Sequence, residues 1–207
     1  MGNEFLVLLI PLAACLAIFW IALKVSSSRI SGQYQKLAKH FGLEMEQAPV
    51  KMGGFVRPDP ALFGKYRERE VSFSAPGKGL KGSRQTESLL KVELRNRKLK
   101  AQIAPKGLFG GLGQKASSGQ GRWTSGDEVF DRAVDVRSKN EDLLEKLMTD
   151  ERRSRMAELL REARATLYIG DGILAFAKLG LIGDESSRVH MEKAVEFLCD
   201  FAEAVEG

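Results

Sequence analysis

The residues of this 207-residue chain that could do chemistry fall into a few groups, and the spacing of each can be tested against what the chemistry needs. Gly77-Lys78-Gly79-Leu80-Lys81-Gly82 has the letters of a dinucleotide-binding turn. That turn must open a helix whose N-terminus faces a pyrophosphate. Here Thr86–Asn96 alternates like a strand, so a hairpin loop is the better reading. Gly110-Gly111-Leu112-Gly113-Gln114-Lys115 approaches a phosphate loop, but Gln114 stands in for the glycine before the lysine and Ala116 for the hydroxyl residue after it. Nucleophilic catalysis requires a Ser, Cys or Thr beside a base that a third group orients. The chain has two histidines, His40 and His190, and two cysteines, Cys15 and Cys199. No cysteine cluster lies near either histidine, so zinc-ligand spacing is absent. Asp171 reads as a turn residue, and Asp127-Glu128, Glu141-Asp142 and Asp150-Glu151 precede helical runs, where carboxylates favour the positive end of the helix dipole. The sequence therefore assigns no catalytic, cofactor-binding or metal-ligating residues, and no cofactor is expected.

Charge is more informative. From Lys51 to Arg122 there are 16 Lys/Arg against 5 Asp/Glu, a net +11, and from Asp127 to Gly207 there are 12 against 19, a net −7. On the strands expected in the basic stretch, Lys65, Arg67, Arg69, Lys91, Arg95, Arg97, Lys98 and Lys100 form a candidate positive face for an anionic surface. Anionic headgroups attract basic residues by about 1 kcal/mol each at close range. A protein partner is the other reading of such a face, and a solvated face without any partner is a third. A fourth use is internal, with the basic sheet turned toward the acidic C-terminal helices. Nucleic acid fits less well, because the segment has few aromatics for stacking and no recognisable binding motif.

The elements that must position these residues follow from periodicity. Tyr34, Leu37, Ala38 and Phe41 recur at helical spacing, and Gly42 stops the helix. Gln47–Pro60, with three prolines and two adjacent glycines, predicts a loop. Leu62–Tyr66 and Glu70–Ala75 predict strands around the turn Arg67-Glu68-Arg69. Ser88–Asn96 and Lys98–Ala104 predict a second strand pair, and Arg132–Arg137 a further strand. Residues 105–126 contain seven glycines and predict a flexible loop, in which Leu108, Phe109, Leu112 and Trp123 are the residues able to adhere to something. Helices are expected at Glu141–Met148, Glu151–Ala163 and about Glu185–Val205, the last with Asp184 as N-cap. Gly170-Asp171-Gly172 predicts a hairpin between Ala165–Ile169 and Ile173–Leu179. The fold class expected is α+β, an antiparallel sheet packed with amphipathic helices in two layers.

Ahead of this domain, Phe5–Leu23 is 19 residues without a charge, and Val25 follows Lys24. A hydrocarbon core of about 30 Å needs roughly 20 such residues, so one N-terminal transmembrane helix is expected at Phe5–Val25. A linker is expected at residues 26–32 and the α+β domain at 33–207. Lys24, Arg29, Lys36 and Lys39 follow the apolar run, which predicts a single-pass membrane protein, N-out with its domain in the cytoplasm. Two alternatives involve cleavage. Leu12-Ala13-Ala14-Cys15 has the form of a lipobox, although eight apolar residues follow Cys15, and a secretory signal lacks its basic start at Met1-Gly2-Asn3-Glu4. Myristoylation is excluded by Leu6.

Gly64-Lys65-Tyr66-Arg67-Glu68-Arg69-Glu70-Val71, Phe130-Asp131-Arg132-Ala133-Val134-Asp135-Val136 and Leu167-Tyr168-Ile169-Gly170-Asp171-Gly172, with the closing amphipathic helix, resemble a group of bacterial membrane-anchored α+β proteins of unknown function. In that group a Gly-x-Tyr-Arg-Gly-Arg-like hairpin precedes a Phe-Asp strand, and Glu68 here replaces its glycine. The resemblance implies bacterial origin, anchor and fold, and no activity. The functional expectation is a membrane-tethered, non-enzymatic binding or accessory domain contacting a protein partner or an anionic membrane surface. The alternatives are an envelope lipoprotein or secreted domain cleaved near Cys15, and an enzyme assembled from scattered residues.

Overall fold

The computed structural model describes residues 2–48, 59–75, 86–107 and 121–207. The two glycine-rich motifs at 77–82 and 110–115, and Leu108, Phe109 and Leu112, lie outside the described residues. In chain order the elements are α1 (Gly2–Phe41), β1 (Glu44–Glu46), β2 (Ala61–Tyr66), β3 (Arg69–Ser74), β4 (Glu87–Glu93) and β5 (Ala101–Pro105). They continue with β6 (Gly121–Trp123), α2 (Glu128–Ala133), β7 (Val134–Ser138), α3 (Glu141–Leu147), α4 (Asp150–Ala163), β8 (Ala165–Gly170), β9 (Ile173–Leu179) and α5 (Glu185–Glu206). The strands form one sheet in the order β1-β2-β3-β4-β9-β8-β5-β7-β6, with every adjacent pair antiparallel. The α+β class with a large antiparallel sheet is thus as the periodicity predicts.

Alternation decides which face of each strand is buried. Leu62, Val71, Phe73, Leu90, Val92, Leu174, Phe176, Leu167 and Ile103 point into the core, where α4 and α5 lie across the sheet. The apolar stripe of α5 includes Met191, Val195, Leu198, Phe201 and Val205, all buried. Full burial of each such side chain is worth about 1.5–3 kcal/mol, enough to hold the helix on the sheet. Asp184 caps its start by accepting from the Ser187 amide at 2.7 Å. At the other end of the chain, Gly42 at φ 67° stops α1, and the Leu43 amide reaches back to the Ala38 carbonyl at 2.9 Å.

The N-terminal expectation needs correction. Among the described residues no helix is long and apolar enough to cross a membrane. This removes the support for a transmembrane helix at Phe5–Val25, and with it for the single-pass, N-out placement. Ser26, Ser27 and Ser28, expected in a linker after the apolar stretch, lie within α1. The three serines are themselves helical, so α1 runs without a break from Gly2 into the buried Tyr34, Leu37 and Phe41.

Three local expectations also change. The strands at 87–93 and 101–105 do not pair with each other, because the β8–β9 hairpin is inserted between them. Their connection arches over that hairpin's turn, with the Leu94 amide on the Gly172 carbonyl at 2.8 Å and Lys100 Nζ on Asp171 at 2.8 Å. Arg132 and Ala133 are helical rather than extended, since the Asp127 carboxylate caps α2 by accepting from the Val129 and Phe130 amides. Trp123 belongs to β6 and is buried in the core rather than lying in a flexible loop.

Gly172 is the tightest point of the arch. Its φ is +82°, and a Cβ there would sit 3.2 Å from the Leu94 carbonyl oxygen and 3.4 Å from Arg97 Cγ. Gly172→Ala is expected to lower stability by about 1–3 kcal/mol in urea denaturation, through left-handed backbone strain and this close approach.

Candidate functional site

The strand register lines up one residue from each of eight strands on the face opposite the helices: Phe63, Ser72, Lys91, Ala175, Tyr168, Gln102, Arg137 and Arg122. At the β2–β3–β4–β9 end this outer face holds an open groove of about 720 Å³. Phe63 and Ile173 expose apolar surface in it, and Lys65, Lys91, Arg95 and Arg97 line it.

The structure divides the eight basic residues that the sequence singles out. Lys91 lies between the buried Leu90 and Val92, Lys65 is exposed on β2, and Arg95 and Arg97 project from the arch after β4. Among the described residues Lys65, Lys91, Arg95, Arg97 and Lys98 make no ion pair. The other three are engaged. Lys100 pairs with Asp171 at 2.8 Å, and that hydrogen bond, reinforced by the lysine's charge, holds the Asp171 carboxyl below its ordinary value. Arg67 pairs with Asp200 of α5 at 2.7 Å, with both side chains about two-fifths exposed.

Arg69 leaves the exposed face altogether. It shares strand parity with Val71 and Phe73, so it points inward, and it is 4% exposed. There its guanidinium grips both oxygens of Glu206 in the last turn of α5, at 2.8 and 2.7 Å. A third donor reaches the same carboxylate, the Arg95 amide at 2.7 Å. Asn96 Nδ2 adds a long contact to the Val205 carbonyl at 3.5 Å. The Arg69 hydrogen bond, against a smaller opposing effect of burial, holds the Glu206 carboxyl below its ordinary value. The period-two pattern of Arg69, Val71 and Phe73 was the signal for this inward turn. Nothing local pointed to Glu206 as its partner.

The hairpin tip between β2 and β3 is strained. Arg67 and Glu68 have φ of 48° and 60°, a two-residue left-handed turn made without glycine or asparagine. The ion pairs of Arg67 and Arg69 with α5 hold this tip in place.

Elsewhere several reactive side chains are committed to structural contacts. Cys199 is fully buried, and burial pushes its thiol up to about 11. Cys15 is exposed on α1, and both thiols are free. Ser88 and Lys178 face each other across β4 and β9, yet Ser88 is fully buried and donates to the Gly180 carbonyl at 2.8 Å. Lys178 donates to the Leu179 carbonyl at 3.1 Å, and its desolvation lowers its pKa. Asp131 feels desolvation most, but hydrogen bonds from Ser125 and Gly126 outweigh it and lower its pKa. It ties down the entry to α2. His190 Nε2 lies 3.8 Å from Glu162 on the helical side. On α1, Ile18, Phe19, Trp20, Ile21 and Val25 are exposed, and Lys24 Nζ sits 4.8 Å from the centre of the Trp20 ring. Among the described residues no group of three His, Cys, Asp or Glu is placed to hold a metal ion.

Fold and site together define an α+β protein with helices packed on one face of an antiparallel sheet, nine-stranded among the described residues, and a groove lined by basic residues on the other. No family model matches the chain, and no curated protein matches it. Among solved structures it is similar to the crystal structure of the mycobacterial trehalose monomycolate transport factor A, TtfA. The TM-score is 0.56 at 11% identity, over 85% of this chain and 94% of that one. At that identity the likeness is one of fold.

Removing Arg69 strands Glu206, whereas removing Arg67 exposes an already half-solvated Asp200. Arg69→Ala is expected to cost about 3–5 kcal/mol and Arg67→Ala no more than about 1 kcal/mol, compared by chemical denaturation. A carboxyl with a depressed folded pKa contributes stability that is complete above its unfolded value and is lost as pH falls through the folded one. Glu206→Gln should therefore flatten the acid limb of the stability–pH curve below the ordinary carboxylate range.

Proposed function

We propose that this chain is a non-enzymatic accessory domain that binds an acidic segment of a protein partner along the groove of its open sheet face. The observation that carries this reading is the division of the basic residues. Those turned inward, or sited at the hairpin tip, are neutralised by α5, whereas Lys65, Lys91 and Arg97 stand together on the outer face without an ion pair among the described residues. Their clustering beside the apolar Phe63 and Ile173 suits an extended acidic chain with an occasional apolar residue. The groove's volume is within the range of small binding sites. Its own carboxylates, Glu70, Glu93 and Asp171, limit the local excess of positive charge and favour a partner that is locally rather than uniformly acidic. The protein of similar fold bears the name of a transport factor, which is in keeping with an accessory role.

Exposed ion pairs contribute about 0.2–1 kcal/mol each and are screened within about 10 Å at 0.1 M salt, so the interaction is modest and salt-sensitive. A fluorescein-labelled Glu-rich peptide and its Gln-substituted counterpart, compared by anisotropy at low salt, provide the test. The Glu peptide should bind more tightly, and Lys65→Glu/Lys91→Glu/Arg97→Glu should weaken it roughly 10- to 100-fold with the melting temperature unchanged. Equal binding of the two peptides, or indifference to the triple substitution, would refute the reading. Binding that responds to the triple substitution with anionic vesicles but not with peptides would assign the groove to headgroups instead.

A further inference from the structure

We propose that Glu206 is a positioning residue for the groove, its one carboxylate joining the C-terminal turn of α5 to the arginine wall on the opposite side of the sheet edge. This rests on the reading of the groove given above for its consequence, but not for its geometry.

The arch between β4 and β5 carries Arg95 and Arg97 into the groove. It belongs to neither strand ladder, so its backbone must find other partners. At its start the Leu94 amide bonds to the Gly172 carbonyl, and at its end the Lys100 amide bonds to Asn140 Oδ1 at 3.2 Å. Between these, the Lys98 amide is satisfied within the arch by Asn96 Oδ1 at 2.9 Å. The Arg95 amide is tied to α5 by a short, charge-assisted bond, 2.7 Å to Glu206 Oε1, beside the longer Asn96 Nδ2 contact to the Val205 carbonyl.

That oxygen does not float. Arg69 Nη1 holds it at 2.8 Å, Arg69 Nη2 holds its twin at 2.7 Å, and Arg69 Nη1 also reaches the Glu93 carbonyl at 3.4 Å, two residues before Arg95. Arg69 is itself fixed in the ladder, on strand β3. Glu206 is thus placed by a buried guanidinium and in turn places an exposed arm. On its far side, among the described residues, the Arg95 guanidinium reaches only the Glu68 carbonyl at 3.5 Å, at the limit of a hydrogen bond, so the main-chain tether decides where the side chain starts. A carboxylate bound twice by a buried arginine would otherwise be a structural pair. Here its third contact extends its effect to the residues facing a ligand.

The experiment is amide hydrogen exchange on the full chain, read beside anisotropy with the Glu-rich peptide. Glu206→Ala removes the acceptor, and Arg69→Met/Glu206→Ala removes it together with the buried charge that would otherwise be stranded, so at least one of the two is expected to fold. In the folded variant the Arg95 amide should exchange roughly tenfold faster or more, with β3 and β4 core amides unchanged. Peptide affinity should fall several-fold. Asp200→Asn breaks the neighbouring Arg67 pair on the same helix and should leave exchange at Arg95 unaltered. Unchanged Arg95 exchange in the double variant, or an equal rise in Asp200→Asn, overturns the positioning role whatever the peptide does. Faster exchange with undiminished peptide affinity overturns its link to the groove. A wild-type chain that ignores the peptide refutes the groove reading, while the exchange data still judge the position of Arg95.

Discussion

The pairing of Arg69 with Glu206 is the constraint on which the arrangement of this domain turns. A helix laid on a sheet by apolar burial is free to slide and rotate by small amounts, because hydrophobic attraction is not directional. A bidentate guanidinium–carboxylate pair is directional, and here it joins the residue pair that closes the β2–β3 hairpin to the last turn of α5 across 137 positions of sequence. Desolvating two charges is expensive, so such a pair contributes less to net stability than to specifying one register. Removing one partner, by contrast, leaves an uncompensated charge in a site built to exclude water. The Arg67–Asp200 pair, about two-fifths exposed, repeats the contact nearly two turns earlier on α5 without that consequence.

Seen from this pair, the split of charge along the chain acquires a structural meaning. The basic middle and acidic C-terminal part meet where the β2–β3 hairpin touches α5, so part of the expected positive face is used internally. What remains outward is smaller and more local than the net +11 suggests. It consists of the exposed Lys65 on β2 and Lys91 on β4, together with the side chains on the arch after β4. The strained Arg67–Glu68 turn belongs to the same economy of contacts. Two left-handed residues that lack glycine's freedom persist because the arginines on either side of the tip are anchored.

The corrections share a cause. Strand alternation reports the buried face of a segment but not its neighbour in the sheet, and consecutive strands are adjacent only about two-thirds of the time. Ser88–Asn96 and Lys98–Ala104 therefore read well as strands and wrongly as a pair, since β9 and β8 enter between them. The helix α2 replaced an expected strand start because a carboxylate cap at Asp127, supported by Ser125, outweighs the weak strand preference of the next few residues. The apolar N-terminus misled through composition. Among the described residues no helix is long and apolar enough to cross a membrane, and α1 instead continues as one helix into the core.

What the amino-acid order determined by itself is everything governed by near neighbours. The α+β class, the Asp-Gly hairpin at Asp171-Gly172, the helices α3, α4 and α5 with the Asp184 cap, the stop at Gly42 and the inward parity of β3, β4 and β5 all arise from interactions within a few residues. The outward basic residues were legible for the same reason. The tertiary structure alone decided the strand order, the arch over Gly172, the burial of Arg69 and its meeting with Glu206. These depend on contacts between segments far apart in sequence. A lysine or arginine in a strand has the same letter whether it ends in water or beside a carboxylate, and only the packing of α5 against the sheet distinguishes the two.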